Sequence, residues 1–395
     1  MRLLKNFSLL GTVRLFNIGF PVVVIPLIIK SIGLEGYGTF SFYQAIIVFL
    51  SSIFVFGANT KGVDSLSKLQ VKARKNYLSN ILVVQFMLYS LLLLLFIFVN
   101  FSFDLPIEFW PFLFLFFANS YRITFTEFYF ISGDMIINSI KLNFIFRSMV
   151  LVALLLFSDH FTTLLSITVL YSISAIIPGI FNIIWLKLNF RIDFKNIKNI
   201  IHENFRFVHS RIIISIKDKA GHFVLGFAFD REALAIYDIG LKIINVGAIP
   251  SSTLGQLFLK MKSNIVLKDL LNYLSKTLVI SIISCIPLFL FRDFIIKFLK
   301  VNSLLFNSLA VYCSFGIICL SISSILGNNG LIKLNKDSYY LKSVYLTTIF
   351  YFAFLCYAIY FPINVNVSLN ILAVTCATYF FEMIVRTFYL SNSFK

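Results

Sequence analysis

Arg211, Ser215, Asp218 and His222 follow one another at intervals of four, three and four residues within a largely apolar stretch. On an α-helix advancing about 100° per residue they project at roughly 0°, 40°, 340° and 20°, which makes one polar stripe. An arginine in such a stripe attracts anions, and its planar guanidinium matches a phosphate with two parallel hydrogen bonds. Asp218 one turn before His222 suits proton exchange near neutral pH, so the two are the candidate ion-coupling pair. Lys219 is a further cation beside the stripe, while Lys217 points well away from it.

Other charged residues fall inside apolar stretches too: Arg14, Arg122, Arg147, Lys242 and Arg386. Each has a polar companion at helical spacing. Arg14 shares a face with Asn17, Arg122 with Asn119 and Thr126, and Arg147 with Asn143. Lys242 follows Asp238 by four residues, and Arg386 follows Glu382 by four, so each can close an ion pair along its own helix. For those two pairs a structural role competes with a functional one. Arg147 and Arg386 lie near predicted helix ends and can snorkel toward water. Arg14, Arg122, Arg211, Lys219 and Lys242 form the candidate anion-binding set.

The elements that must position these residues follow from composition. The 395 residues are 59% hydrophobic and only 13% charged, and mean hydropathy is +0.91. Soluble domains average about 45–50% apolar and about 25% charged. Crossing a bilayer takes about 20 apolar residues. Segments of that length predict twelve helices, at 8–29, 38–59, 78–100, 109–131, 142–158, 162–186, 207–229, 234–257, 273–291, 304–327, 343–361 and 367–390. The expected fold class is an all-α integral membrane protein, six helices in 1–200 and six in 201–395. The first run carries Arg14 and Pro21 and lacks a small-residue cleavage site, so it reads as a helix and not a removable leader.

The net charge of +17 acquires a meaning once the basic residues are sorted by position. Of the 34 Lys and Arg, 21 fall in the termini and alternate loops on one side, 5 on the other, and 8 inside helices. The basic side is cytoplasmic by the positive-inside rule, which puts both termini there. Charges at membrane depth cost at least about 2.5–3.5 kcal/mol each, so eight of them imply a wet interior. A nucleic-acid partner is therefore not expected.

Enzyme signatures are missing. No G-x-x-x-x-G-K-[S/T] loop offers a phosphate cradle for ATP hydrolysis. Cys285, Cys313, Cys319, Cys356 and Cys376 lie in or beside apolar segments without a C-x-x-C pair, which reads as buried small residues. No cofactor is expected. The longest loop, near 187–206, is too short for a catalytic domain, and His202 falls within it.

A weak internal repeat sets residue n against n + 197: Glu35 to Phe40 against Glu232 to Tyr237, and the basic loop at 61–75 against that at 260–276. Six helices per half would relate the two bundles by a pseudo-two-fold axis along the membrane normal, an arrangement known in transporters.

The stretch from Pro26, PLIIKSIGLEGYGTFSFYQAIIVFLSSIFVFGAN, resembles the first two helices of Wzx-type O-antigen flippases and related polysaccharide exporters. That family shares a Leu-Gly-x-Glu-x-Tyr-Gly turn after helix one, which Gly33, Glu35, Tyr37 and Gly38 match, with Ile32 in the leucine's place. DREALAIYDIGLKI, from Asp230, repeats the pattern, and IKDKAG, from Ile216, is similar to the family's acidic helix seven. The resemblance implies a twelve-helix, two-bundle exporter in the bacterial inner membrane. Its cargo would be an undecaprenyl-diphosphate-linked O-antigen oligosaccharide, carried from the cytoplasmic to the periplasmic leaflet by alternating access. An O-antigen polymerase and a chain-length regulator would be its partners beside the lipid bilayer. The alternatives are export of another lipid-linked glycan, such as an exopolysaccharide or teichoic unit, and a membrane scaffold or polymerase of the same pathway. A drug exporter of this fold would carry acidic residues inside its N-terminal helices; helices one, two, three and five have none.

Overall fold

The structure is a computed structural model that describes residues 2–55, 71–103, 107–124, 136–186, 194–254, 267–299, 303–332, 334, 336–361 and 366–392. The regular elements among these residues are all helical. They are α1 (Arg2–Phe54), α2 (Val71–Phe103), α3 (Phe109–Thr124), α4 (Ile136–Phe157), α5 (Leu164–Leu186), α6 (Phe194–Ala228), α7 (Arg231–Gly247), α8 (Leu267–Leu290), α9 (Arg292–Leu299), α10 (Ser303–Ser324), α11 (Asp337–Tyr360) and α12 (Val367–Ser391). A π-helical stretch, Ile325–Ile332, continues α10. Each of the twelve expected segments overlaps one of these helices; the expected ends at 56–59, 125–131 and 255–257 lie outside the described residues.

The first two segments share α1, which breaks at Gly33 (φ 77°, ψ 174°). That left-handed region is open to glycine and costly for other residues. A single residue thus does what the sequence assigned to a loop. Among the described residues, eight helical runs combine the length and apolarity needed to cross a membrane, from Gly19–Phe54 to Val367–Ser391. The chain is a multi-pass membrane protein.

The helix carrying the Arg211 stripe starts at Phe194, not near 207. Hydropathy misses its first turns because they are rich in charge. Ile197 within them nonetheless stands at helical spacing from Val208 and Ile212, and the three pack with Val84 and Leu88 of α2. His202, expected in a loop, is therefore an exposed residue of α6.

The helices gather into two compact units. One comprises Lys30–Phe223; the other comprises Met1–Ile29 with Val224–Lys395. In the first, the phenylalanines build a core. Phe96 stacks on Phe112 at 4.0 Å between ring centroids, and Tyr89 on Phe116 at 4.7 Å. Offset stacking of this kind adds to the burial of the rings themselves. Polar side chains tie the helices where the backbone accepts them: Ser172 on α5 donates to the Phe114 carbonyl on α3 at 2.7 Å, and Gln85 on α2 donates to that of Val55 at 2.9 Å.

The second unit packs through small residues. A β-carbon at Gly316 would stand 2.7 Å from the tip of the Ile244 side chain and 3.0 Å from the Cys376 sulfur, so its absence eases the close approach of the helices there, the usual device in membrane bundles. Hydroxyls and thiols cross the same contacts: Tyr237 and Thr375 share a hydrogen bond of 3.2 Å, and Cys313 donates to the Gly240 carbonyl at 3.5 Å. Four of the five cysteines are buried as expected; Cys356 is exposed on α11.

Candidate functional site

The stripe on α6 forms on an unbroken helix, and burial divides it. Arg211 and Asp218 are exposed, Ser215 and Lys219 are half-buried, and His222 is buried. Lys217, on the opposite face, is 7% exposed. Phe223 next in sequence packs edge-on against Phe49 of α1, 5.7 Å between ring centroids, which holds the His222 end of the stripe among aromatic side chains. The polar stripe therefore begins at an accessible guanidinium and ends at an enclosed imidazole, three helical turns later. An anion can reach Arg211. Asp218 is one helical turn from His222.

Two further basic residues of this unit, Arg122 and Arg147, lie on α3 and α4. Arg122 is in the last turn of α3, with its side chain outside the described residues. Asn119, one turn earlier, returns its amide to the Leu115 carbonyl at 3.1 Å. Arg147 on α4 does not snorkel: it is only 7% exposed.

Arg14 lies on the first half of α1, and its side chain is likewise outside the described residues. Lys242 on α7 closes the pair that the spacing permits, with its Nζ 2.7 Å from Asp238. Asp238 is 6% exposed. The carboxylate balances the charge of the lysine, which matters for any claim that Lys242 holds an anion.

By sequence alone Arg386 reads as a residue at a helix end. In the structure it is a buried hub. It pairs with Glu382 on α12, donates from Nη1 to the Ser323 carbonyl at 2.8 Å and to the Ser323 hydroxyl at 3.0 Å, and reaches the Ser343 hydroxyl at 3.4 Å. Its guanidinium also lies 5.1 Å from the centre of the Tyr340 ring, within cation–π range. The four-residue spacing from Glu382 is visible in the sequence; the serines, on α10 and α11, are not, because no local pattern links them to α12.

The family model described as polysaccharide biosynthesis protein matches residues 3–257. No curated sequence matches the chain. Among solved structures, the chain is similar to the lipid II flippase MurJ in its inward closed conformation, at 14% identity over 99% of this chain and 88% of that one, with a TM-score of 0.70. It is also similar to an inward-facing multidrug resistance MATE family transporter of the MOP superfamily, at 13% identity over 96% and 95% of the two chains and a TM-score of 0.63. The MATE multidrug transporter DinF-BH gives 13% identity, 98% and 95% coverage, and a TM-score of 0.61. At these identities the likeness is one of fold.

Proposed function

The chain belongs to the polysaccharide biosynthesis protein family, and from that membership we propose that it is a transporter, not an enzyme, which flips a lipid-linked oligosaccharide across the membrane. The cargo is an undecaprenyl-diphosphate-linked O-antigen unit, carried from the cytoplasmic to the periplasmic leaflet of the bacterial inner membrane by alternating access. Both chain termini are cytoplasmic in this reading, as the distribution of Lys and Arg implies.

The observation that carries the proposal is the charge on α6. Arg211 is exposed and Lys219 half-buried on a helix of a multi-pass chain. Cations at membrane depth are costly and concentrate where an anion or water meets them. A diphosphate is the anion that such a lipid carries, and guanidinium geometry suits it. Arg14 and Arg122 complete the set; Lys242 contributes less, because Asp238 already neutralises it. Asp218 and His222 supply the coupling proton.

The test is genetic and chemical together. Deleting the chain should cause an undecaprenyl-diphosphate oligosaccharide to accumulate on the cytoplasmic side, and mass analysis of that lipid would identify the sugar unit. If no lipid-linked intermediate builds up, the proposal falls.

A further inference from the structure

Beside the Arg386 cluster the second unit carries a cavity of about 430 Å³, within the range of about 300–1,000 Å³ found for ligand pockets. Its walls come from the start of α8, the junction of α10 with the π-helical stretch, and the end of α12: Leu274, Leu278, Ile322, Leu326, Met383 and Leu390 among others. On α8 the lining runs from Leu270 to Leu278 and on α12 from Met383 to Ser391, about 12 Å of helix in each case at 1.5 Å per residue. The hydroxyls that reach the groove are all spent on their own helices. Ser275 donates to the Asn272 carbonyl at 2.8 Å, Thr387 to Met383 at 2.8 Å and Ser391 to Phe388 at 2.8 Å. A groove whose few donors are already engaged suits hydrocarbon, not a sugar or a headgroup.

Cations and aromatic rings stand at the same end. Lys276 is exposed on α8, next in sequence to Ser275. Lys342 lies 5.7 Å over the Tyr339 ring, and Tyr339 stacks on Tyr389 of α12 at 5.2 Å. Tyr273, Tyr339, Tyr340 and Tyr389 all pack against the cluster of Leu270, Leu326 and Leu390 that backs the groove. Tyrosine and lysine together mark the depth of lipid headgroups. In the proposed orientation, all of these helix ends are cytoplasmic. The floor of the groove is held in place: Leu326 sits one residue before Gly327, where a β-carbon would stand 2.8 Å from the Arg386 guanidinium.

We propose that this groove seats the prenyl chain of the cargo as it arrives from the cytoplasmic leaflet, with Lys276 and Lys342 beside the diphosphate. The assignment rests on the lipid-linked cargo proposed above. A negatively charged diphosphate complements Lys276 and Lys342, and the apolar walls take the first isoprene units.

A photoreactive polyprenyl diphosphate, added to vesicles of phosphatidylethanolamine and phosphatidylglycerol containing the full chain, tests it. Labelled peptides should map to 270–278 and 383–391. Unlabelled polyprenyl diphosphate should compete at least tenfold better than the same amount of phosphatidylglycerol. Ser275→Phe and Thr387→Phe place rings in the groove from exposed positions; each should cut labelling severalfold and raise the KM for lipid-linked cargo with little change in kcat. Equal competition by phosphatidylglycerol, which would mean an ordinary acyl chain, overturns the assignment. Labelling elsewhere, or an unchanged KM in both variants, does so as well. If the deletion strain accumulates a lipid-linked glycan while the groove stays unlabelled, only the groove falls; if it accumulates none, the cargo reading falls and the groove assignment with it.

Discussion

Arg386 on α12 donates to the backbone carbonyl of Ser323 on α10 at 2.8 Å, one residue before the end of α10 and two before the chain widens into the π-helical stretch Ile325–Ile332. A widened turn shifts the carbonyl pairing of the residues just before it, and Arg386 places a charged donor at that point. The guanidinium is balanced by Glu382 on its own helix. One side chain thereby joins α10, α11 and α12.

Removing it should be expensive. Arg386→Met leaves Glu382, which is 6% exposed, as an uncompensated buried carboxylate, and breaking such a pair costs about 3–5 kcal/mol. Thermal unfolding of purified protein in detergent should show a clear drop in Tm for Arg386→Met. The double variant Arg386→Met with Glu382→Leu should recover much of it. Equal Tm values for the single and double variants would remove the ion pair from the explanation.

Gly33 sets the break in α1 with φ at 77°. With ψ at 174° this is the extended positive-φ region that only glycine enters readily, so alanine there costs about 1–3 kcal/mol, although no neighbouring atom lies within 4 Å to clash with it. Gly33→Ala and Gly33→Asn should both lower stability by that amount, since the asparagine preference for positive φ belongs to ψ near about 30–60° and not to the extended ψ found here. Identical stability for all three would show that α1 straightens instead.

Arg211→Ala and Arg14→Ala should each abolish surface polysaccharide while the protein remains in the membrane at wild-type level. Arg211→Lys should retain partial function, because a point charge replaces a bidentate fork. Immunoblots of membranes alongside polysaccharide gels read both quantities. Normal polysaccharide in both alanine variants contradicts the anion-binding role.

Asp218→Asn should make transport in vesicles insensitive to an imposed pH gradient, whereas wild-type transport should respond to it. If wild type and variant respond alike, Asp218 and His222 carry no coupling proton.

Reporter fusions in the basic loops near 61–75, 187–193 and 260–268 should report a cytoplasmic location, and fusions after Arg231 and Arg292 an external one. A reversed pattern would invert the proposed direction of transport.

The twelve segments were legible from hydropathy because a bilayer core demands about 20 apolar residues per crossing whatever the neighbours. The pairs Asp238 with Lys242 and Glu382 with Arg386 were legible from spacing, since residues four apart meet on any helix. Composition and patterning thus determined the class and the spacing of charges along each helix. Three things depended on the tertiary structure. The start of α6 at Phe194 was hidden because a hydropathy window averages its lysines with Ile197 and Ile200, and only the packing of Ile197, Val208 and Ile212 on α2 reveals the face. The division of the α6 stripe into exposed Arg211 and buried His222 is a matter of tertiary burial that spacing along α6 does not show. The roles of Arg386 and of the apolar groove depend on α8, α10, α11 and α12 coming together. Spacing along one helix specifies which side chains share a face; what that face meets is decided by contacts between residues dozens of positions apart, and those have no local signature.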